Sequence, residues 1–243
     1  MHSIMTWSLI ARDADGRFGV AIASRFFSVG ALCVHTRAAT GALCTQALMN
    51  PLYGPQGMEA LSQGMEASAV VQKLTGADAG ASQRQLHVWG ATGPGAAHTG
   101  SGCVDWCGHQ VHPDFSVAGN MLAGPQVLQA TAQAFVASHG QPLAQRLITA
   151  MAAGEAAGGD KRGKQSAALR IQGLQDYPEL DLRVDDHVDP LVELQRFYEV
   201  SLQRFQPFVA CLPSREHPHG ELDRSQIEAR IDAFHRARRE SCA

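Results

Sequence analysis

The sequence predicts an α+β fold whose β-sheets are covered by helices, and three observations lead there. The first strand-like runs are apolar on both faces: in Phe18-Gly19-Val20-Ala21-Ile22-Ala23, Phe18, Val20 and Ile22 fall on one side, and Gly19, Ala21 and Ala23 on the other. Sheets with a solvated face alternate apolar and polar residues, whereas sheets under helices read as near-continuous apolar runs. Residues 125–138 and 142–153 carry apolar side chains at helical spacing, so two amphipathic helices are available as cover. At 243 residues the chain is long enough to bury a full two-sheet core.

In chain order, residues 6–12 and 18–25 form a β-hairpin around the turn Asp13-Ala14-Asp15-Gly16, with Thr6 as the first residue of a strand. Short runs at 31–36 and 40–48 add two strands to that first sheet. Two short helices follow at 57–64 and 67–74, the second with Val70, Val71 and Leu74 at helical spacing. Residues 85–89 and 96–99 pair across the Gly-rich turn 91–95, and 105–111 and 115–118 extend the second sheet. The helices at 125–138 and 142–153, separated at Gly140-Gln141-Pro142, cover that sheet. A loop at 158–163 leads into strands at 166–172 and 180–184. Asp189 caps a helix over 190–204 whose apolar face holds Leu191, Leu194, Phe197, Tyr198 and Leu202. Beyond Gln206 the composition changes, and Pro207, Pro213, Pro218 and Gly220 mark a linker before an amphipathic helix over 225–239. The chain therefore divides into one domain over 5–204 and an extension over 205–243.

Bulk properties exclude several function classes. The net charge is -3 with Lys and Arg scattered, which gives no nucleic-acid footprint. No apolar run approaches the roughly 20 residues of a membrane span, and no basic region leads into an apolar stretch, so the protein is expected in the cytoplasm. Six cysteines are too few for a disulfide framework at this length and are expected as reduced thiols.

The start of the first strand carries the chemistry. If Met5 is the translation start and is removed, Thr6 has a free α-amine beside its own hydroxyl, the nucleophile-plus-base pair of N-terminal threonine enzymes. An α-amine titrates near about 7.7 to 8.0, so a useful fraction is free base at neutral pH without burial. Ser8, two residues on, shares a strand face with Thr6 and lines the same pocket.

Thr6-Trp7-Ser8, Gly19-Val20-Ala21, Ala23-Ser24-Arg25-Phe26-Phe27, Gln46, Asn50-Pro51-Leu52-Tyr53-Gly54, Gly119-Asn120-Met121-Leu122 and Gly158-Gly159-Asp160-Lys161-Arg162-Gly163 together resemble the pattern of the DUF1028 family, a branch of the N-terminal-nucleophile (Ntn) hydrolase superfamily. The resemblance runs in order over about residues 5–204. It implies a four-layer αββα sandwich and amide-bond hydrolysis, without a settled substrate. One departure stands out: Met1-His2-Ser3-Ile4 precede Met5-Thr6, and while they remain Thr6 has an amide nitrogen and no general base.

Other candidates gather around that nucleophile. In the loop from Gly158 to Ser166, glycines let backbone amides approach a ligand, and Asp160, Lys161 and Arg162 can orient the terminal amine and counter an oxyanion or a substrate carboxylate. Asp160 or Arg162 is expected within one side-chain length of Thr6. Asn120 offers an amide donor at a strand end, the chemistry of an oxyanion hole. Arg25 closes the second strand, while Gln46 and Asn50 end another. Each of these also has an ordinary role as a turn or cap hydrogen-bonder. Thr6, Arg25, Asn120 and Asp160 are thus the catalytic candidates, and Ser8, Gln46, Asn50, Lys161, Arg162 and Ser166 the substrate-binding ones, with no cofactor or metal. A rival set, Cys103, Cys107, His109 and His112, has zinc-ligand chemistry but irregular spacing. Two functions follow: an amidohydrolase acting on a small amide or short peptide through a Thr6 acyl-enzyme, or a non-catalytic small-molecule-binding or assembly protein of the same fold. A homo-oligomer without nucleic-acid or membrane partners is expected in either case.

Overall fold

The structure, a computed structural model, describes residues 6–159 and 163–241. The chain divides into two compact units, Met1–Leu194 and Gln195–Ala243.

The first unit contains β1 (Thr6–Arg12), β2 (Phe18–Ser24), α1 (Val29–Cys33), β3 (Val34–Arg37), β4 (Gly41–Ala47), α2 (Tyr53–Ser62), α3 (Ala67–Gly76), β5 (Arg84–Gly90), β6 (Ala96–Thr99), β7 (Trp106–Val111), β8 (Phe115–Leu122), α4 (Pro125–Ala137), α5 (Leu143–Ala156), β9 (Ser166–Gln172), β10 (Leu180–Val184) and the start of α6 (Pro190–Gln203). The strands form two antiparallel sheets, a six-stranded one in the order β10-β9-β2-β1-β8-β7 and a four-stranded one in the order β3-β4-β5-β6. It is a mixed α/β architecture.

The hairpin forms as expected. The Asp13 carboxylate accepts the backbone N–H groups of Asp15 and Arg17 at 3.0 and 2.9 Å and pairs with the Arg17 guanidinium at 2.8 Å, while Gly16 supplies the φ of +79° that closes the turn. Strand membership differs from expectation. β3 and β4 do not join the first hairpin; β1 pairs with β8 and β2 with β9, pairings that span more than a hundred residues and leave no local pattern. Of the strand expected over 31–36, residues 31–33 lie instead in helix α1, and the strand begins at Val34. Ser28 takes a left-handed conformation (φ 56°), its N–H is held by the Asp185 carbonyl, and the Ser166 hydroxyl accepts the Val29 N–H at 3.1 Å, so tertiary bonds override local propensity. The first of the two short helices begins at Tyr53, four residues earlier than its periodicity suggests.

Ile10, Val20 and Ile22 face Ala42, Cys44 and Trp89 across the gap between the sheets, with Val29, Cys33 and Val34 closing one side. On the other face of the four-stranded sheet, Leu43, Leu86 and Val88 pack against Tyr53, Met58, Leu61, Val70, Val71 and Leu74 of α2 and α3. Helices α4 and α5 cover the other face of the six-stranded sheet. The approach there is close: a Cβ on Gly19 would sit 2.7 Å from a Leu147 methyl. Strands β1, β2, β4, β5, β8 and β9 are therefore buried on both faces, which is why they carry few polar residues, while the outer strands β3, β6, β7 and β10 are partly exposed.

In the second unit α7 (Phe205–Val209) and α8 (Arg224–Ser241) follow the end of α6. Arg204 pairs with Glu228, and His235 Nε2 donates to the Gln203 carbonyl at 2.8 Å. No helix among the described residues is long and apolar enough to cross a membrane.

Candidate functional site

Four adjacent strands bring one polar residue each to the same level. The registers Thr6↔Ser24, Thr6↔Asn120 and Ser24↔Ser166 align Ser166, Ser24, Thr6 and Asn120 in a row across the six-stranded sheet. Residues directly opposite in an antiparallel pair share a face, and here all four are buried, at 0%, 0%, 1% and 1% exposure. The row is interior. Asn120 lies inside β8 rather than at a strand end, because the strand continues to Leu122. Thr6 is the first residue of β1 as expected, but β1 lies in the middle of the sheet. Its hydroxyl donates to the Ser24 hydroxyl at 3.1 Å.

One level deeper, Ser8 links the two sheets. Its hydroxyl donates to Gln46 Oε1 at 2.6 Å and lies 2.9 Å from His87 Nε2. Proton positions along this cluster follow from its ends. Trp89 Nε1 can only donate, and it meets the Ser116 hydroxyl at 2.8 Å; at the other end Gln46 turns its Oε1 to Ser8 because its Nε2 faces Gln85 Oε1, so Ser8 accepts from His87 Nε2 and the Ser116 proton goes to His87 Nδ1 at 2.8 Å. His87 therefore carries its proton on Nε2 and donates to Ser8, whose proton goes on to Gln46. Gln46 Nε2 then donates to Gln85 Oε1 at 2.7 Å and, more weakly, to the Thr6 carbonyl at 3.5 Å. The orientation of Gln85 is fixed independently: its Nε2 faces the carbonyls of Gly119 and Gly108 at 2.9 and 3.0 Å, which can only accept. Its Oε1 is thereby turned to Gln46 and to Asn120, whose Nδ2 donates at 3.0 Å.

Electrostatics agree with this arrangement. Burial, with a smaller contribution from His109, pushes the His87 imidazole down to about 3, so it is neutral at any physiological pH. Cys44, beside Ser8, is pushed up by burial and stays a thiol. His87 is a neutral structural donor in this arrangement, and Ser8 already directs its proton away from it.

The sequence-derived candidates separate into three groups. Thr6, Ser8, Gln46 and Asn120 come together in this cluster. Ser166 stands in the same row, and its side chain and that of Asn50 are engaged with other parts of the protein. The Ser166 hydroxyl donates to the Phe26 carbonyl and accepts the Val29 N–H, so it anchors the chain after β2 and has no proton left for a ligand. Asn50 spends its side chain on Asp78, at 3.2 Å, and on the Leu52 N–H, at 3.1 Å. Tyr53, Arg84 and the Gly80 N–H also bond Asp78 and hold its carboxyl well below the usual range, a knot that ties α2 to the start of β5. Arg25 is exposed and lines, with Lys164, Gln165, Asp186 and His187, a surface hollow of about 610 Å³. Asp160, Lys161 and Arg162, and the expected approach of Asp160 or Arg162 to Thr6, lie outside the described residues. The flanks of that loop are tied to the strands of the row, Gly159 through its carbonyl to the Ala123 N–H at 3.3 Å and Gln165 through its N–H to the Ser24 carbonyl at 2.8 Å.

The rival zinc set is not assembled. Cys107 Sγ turns to the Cys103 carbonyl, His109 Nδ1 to Thr99 Oγ1 at 2.8 Å, and His112 stacks on Phe115 at 4.2 Å. Among the described residues no group of three or more His, Cys, Asp or Glu could hold a metal ion. Gln85, His87 and Ser116 escaped the sequence reading, although Gln85 and His87 alternate with Leu86 and Val88 in a run otherwise fit for burial. A polar alternation in such a strand was the available signal.

The profile of DUF1028, a family of unknown function, matches residues 6–194. Among solved structures, the crystal structure of a DUF1028 protein from Silicibacter pomeroyi is 30% identical and superposes with a TM-score of 0.83 over 90% of this chain and 96% of that one. Anbu (ancestral beta-subunit) from Yersinia bercovieri, at 12% identity, superposes with a TM-score of 0.38 over 81% of this chain and 94% of that one, a likeness that carries no functional weight. No curated protein shows significant similarity to the chain.

Proposed function

The chain belongs to the DUF1028 family, and on that premise we propose that it is an N-terminal-nucleophile amidohydrolase of four-layer αββα architecture, with Thr6 as nucleophile and a small amide or short peptide as substrate. The observation that carries the reading is the isolation of the Thr6 hydroxyl from any other base: its bond goes to Ser24, and no carboxylate or imidazole among the described residues bonds to it. With no other base bonded to it among the described residues, the group that takes its proton is its own α-amine, once residues 1–5 are removed.

The steps then balance. The amine takes the hydroxyl proton as Oγ1 attacks the substrate carbonyl; the tetrahedral intermediate collapses with expulsion of the amine product, which receives that proton. Water, deprotonated by the same α-amine, cleaves the resulting ester and restores Thr6. Gln46 and Gln85 hold the strand ends around the nucleophile, and His87 stays a spectator to proton transfer.

The test is a panel of small amides and dipeptides offered to three forms of the protein: one beginning at Thr6, the same form with Thr6→Ser, and the same form with Thr6→Ala. Turnover by the first two and its loss in the third is the expected result. Thr6→Ala should cost about 1 to 2 kcal/mol of stability, since it deletes a buried methyl and a buried hydrogen bond, and the variant should remain folded. Equal turnover by Thr6→Ala would place the nucleophile elsewhere; no turnover by the form beginning at Thr6 would favour the binding or assembly role.

A further inference from the structure

Asn120 Oδ1 is wholly buried and has no hydrogen-bond partner among the described residues. A buried acceptor without a donor costs about 1 to 3 kcal/mol, so each such atom in a well-satisfied interior calls for an explanation. An amide flip does not remove it. Asn120 Nδ2 must face Gln85 Oε1, because Gln85 Nε2 is committed to the carbonyls of Gly119 and Gly108. The open atom of Asn120 is thus an oxygen, which suits a donor and is the wrong polarity for an oxyanion.

The strand register puts that side chain next to Thr6. Asn120 is the direct cross-strand neighbour of Thr6, and residues so paired have Cβ atoms about 4.5 to 5.5 Å apart, within one hydrogen bond of each other's polar groups. A backbone amide at Thr6 has a single N–H; a free terminus has two or three.

We propose that Asn120 is a positioning residue for the α-amine of Thr6: its Oδ1 accepts an N–H from the free terminus and turns the nitrogen lone pair toward the Thr6 hydroxyl. This rests on the N-terminal-nucleophile reading and replaces the oxyanion-hole role expected for Asn120. A neutral amide suits the task. It holds the amine in both protonation states, whereas a carboxylate would favour the ammonium strongly and deplete the base. Among the described residues the titratable groups on the strands of the row and on β4, β5 and β7 beside them are Arg12, Arg170, Cys44, Arg84, His87, Cys107 and His109, of which Cys44 and His87 are buried and neutral, while Arg25 follows Ser24 and Lys164 precedes Ser166 by two residues. None of these bonds to Thr6. Asn120 belongs to a hydrogen-bonded train that begins at Trp89, so its open oxygen is aimed by five other side chains: Trp89, Ser116, His87, Ser8 and Gln46 set Gln85 from one side, and the Gly119 and Gly108 carbonyls set it from the other.

The experiment is a pH titration of the Thr6 α-amine by its nitrogen-15 resonance, which is well separated from backbone amides, in protein beginning at Thr6 and labelled with nitrogen-15 threonine. Asn120→Leu removes the acceptor and should lower the amine pKa by about one unit; Asn120→Asp supplies a charged acceptor and should raise it by about one unit. Thermal melts establish which variants are folded, and either folded variant suffices for the test. An amine pKa unchanged in a folded variant overturns the proposal, including the case in which a water fills the open valence. The two readings fail separately. A shifted pKa in a protein that hydrolyses no amide keeps the role of Asn120 and sinks the hydrolase, and an active protein with an unmoved pKa does the reverse.

Discussion

Replacing His87 with Gln should flatten the acid side of the stability profile. The imidazole is held near 3 in the fold against an ordinary value of 6.5, so the unfolded chain takes up a proton at mildly acidic pH and the folded chain does not. Stability from this group is complete above about 6.5 and drains away as pH falls toward 3, at about 1.4 kcal/mol for each unit in that window. At pH near 5 the loss amounts to about 2 kcal/mol, or about 4 to 8 °C in melting temperature for a chain of this length. Glutamine preserves the geometry, with its amide N–H placed toward Ser8 and its oxygen toward Ser116, but it does not titrate. Urea unfolding of both proteins near pH 7.5 and near pH 5 isolates the effect, because carboxylates and other histidines contribute equally to each and cancel in the difference. An equal loss of stability in wild type and His87→Gln would show that the imidazole is not held neutral and would refute the proton order assigned to the cluster.

Two further substitutions probe the same framework. Ser116→Ala strips the acceptor from Trp89 Nε1 and the donor from His87 Nδ1, both wholly buried, and should cost about 3 kcal/mol in the urea midpoint at neutral pH with little change in slope; a cost under about 1 kcal/mol would contradict the network. Gly41→Ala places a Cβ 2.3 Å from the Trp89 carbonyl oxygen, a backbone atom that cannot swing aside, and should cost about 1 to 3 kcal/mol by displacing β4 from β5; unchanged thermal stability would mean that the two strands separate freely.

The residues that announce the site and those that build it differ in kind. Thr6 and Ser8 were readable because strand alternation alone puts them on one face, and the Asp13–Gly16 turn defines where that strand ends. The covered sheets were readable from the apolar character of residues 18–23 on both sides. Which strands would meet was not, since the pairing of β1 with β8 depends on segments far apart in sequence that carry similar apolar runs. That pairing is what brings Asn120 beside Thr6. Ser166 and Asn50 show a related ambiguity: a polar side chain near a strand end looks the same in sequence whether its bonds go to a ligand or to the backbone of the next loop. Gln85 and His87 carry no local signal of what they bond, because their partners on the other sheet, Asn120 and the Gly119 carbonyl for Gln85 and Ser8 and Ser116 for His87, come within reach only once both sheets have formed.

The central claim is that Thr6 becomes the first residue of the working protein. Intact-mass measurement of protein made from its native gene, taken on the same preparation that is assayed against amides, tests it most directly. An active species that begins at Thr6 and lacks residues 1–5 is the expected result. A homogeneous, amide-hydrolysing species that still carries His2-Ser3-Ile4 would contradict it, because its Thr6 nitrogen is then an amide and has no lone pair to offer as a base.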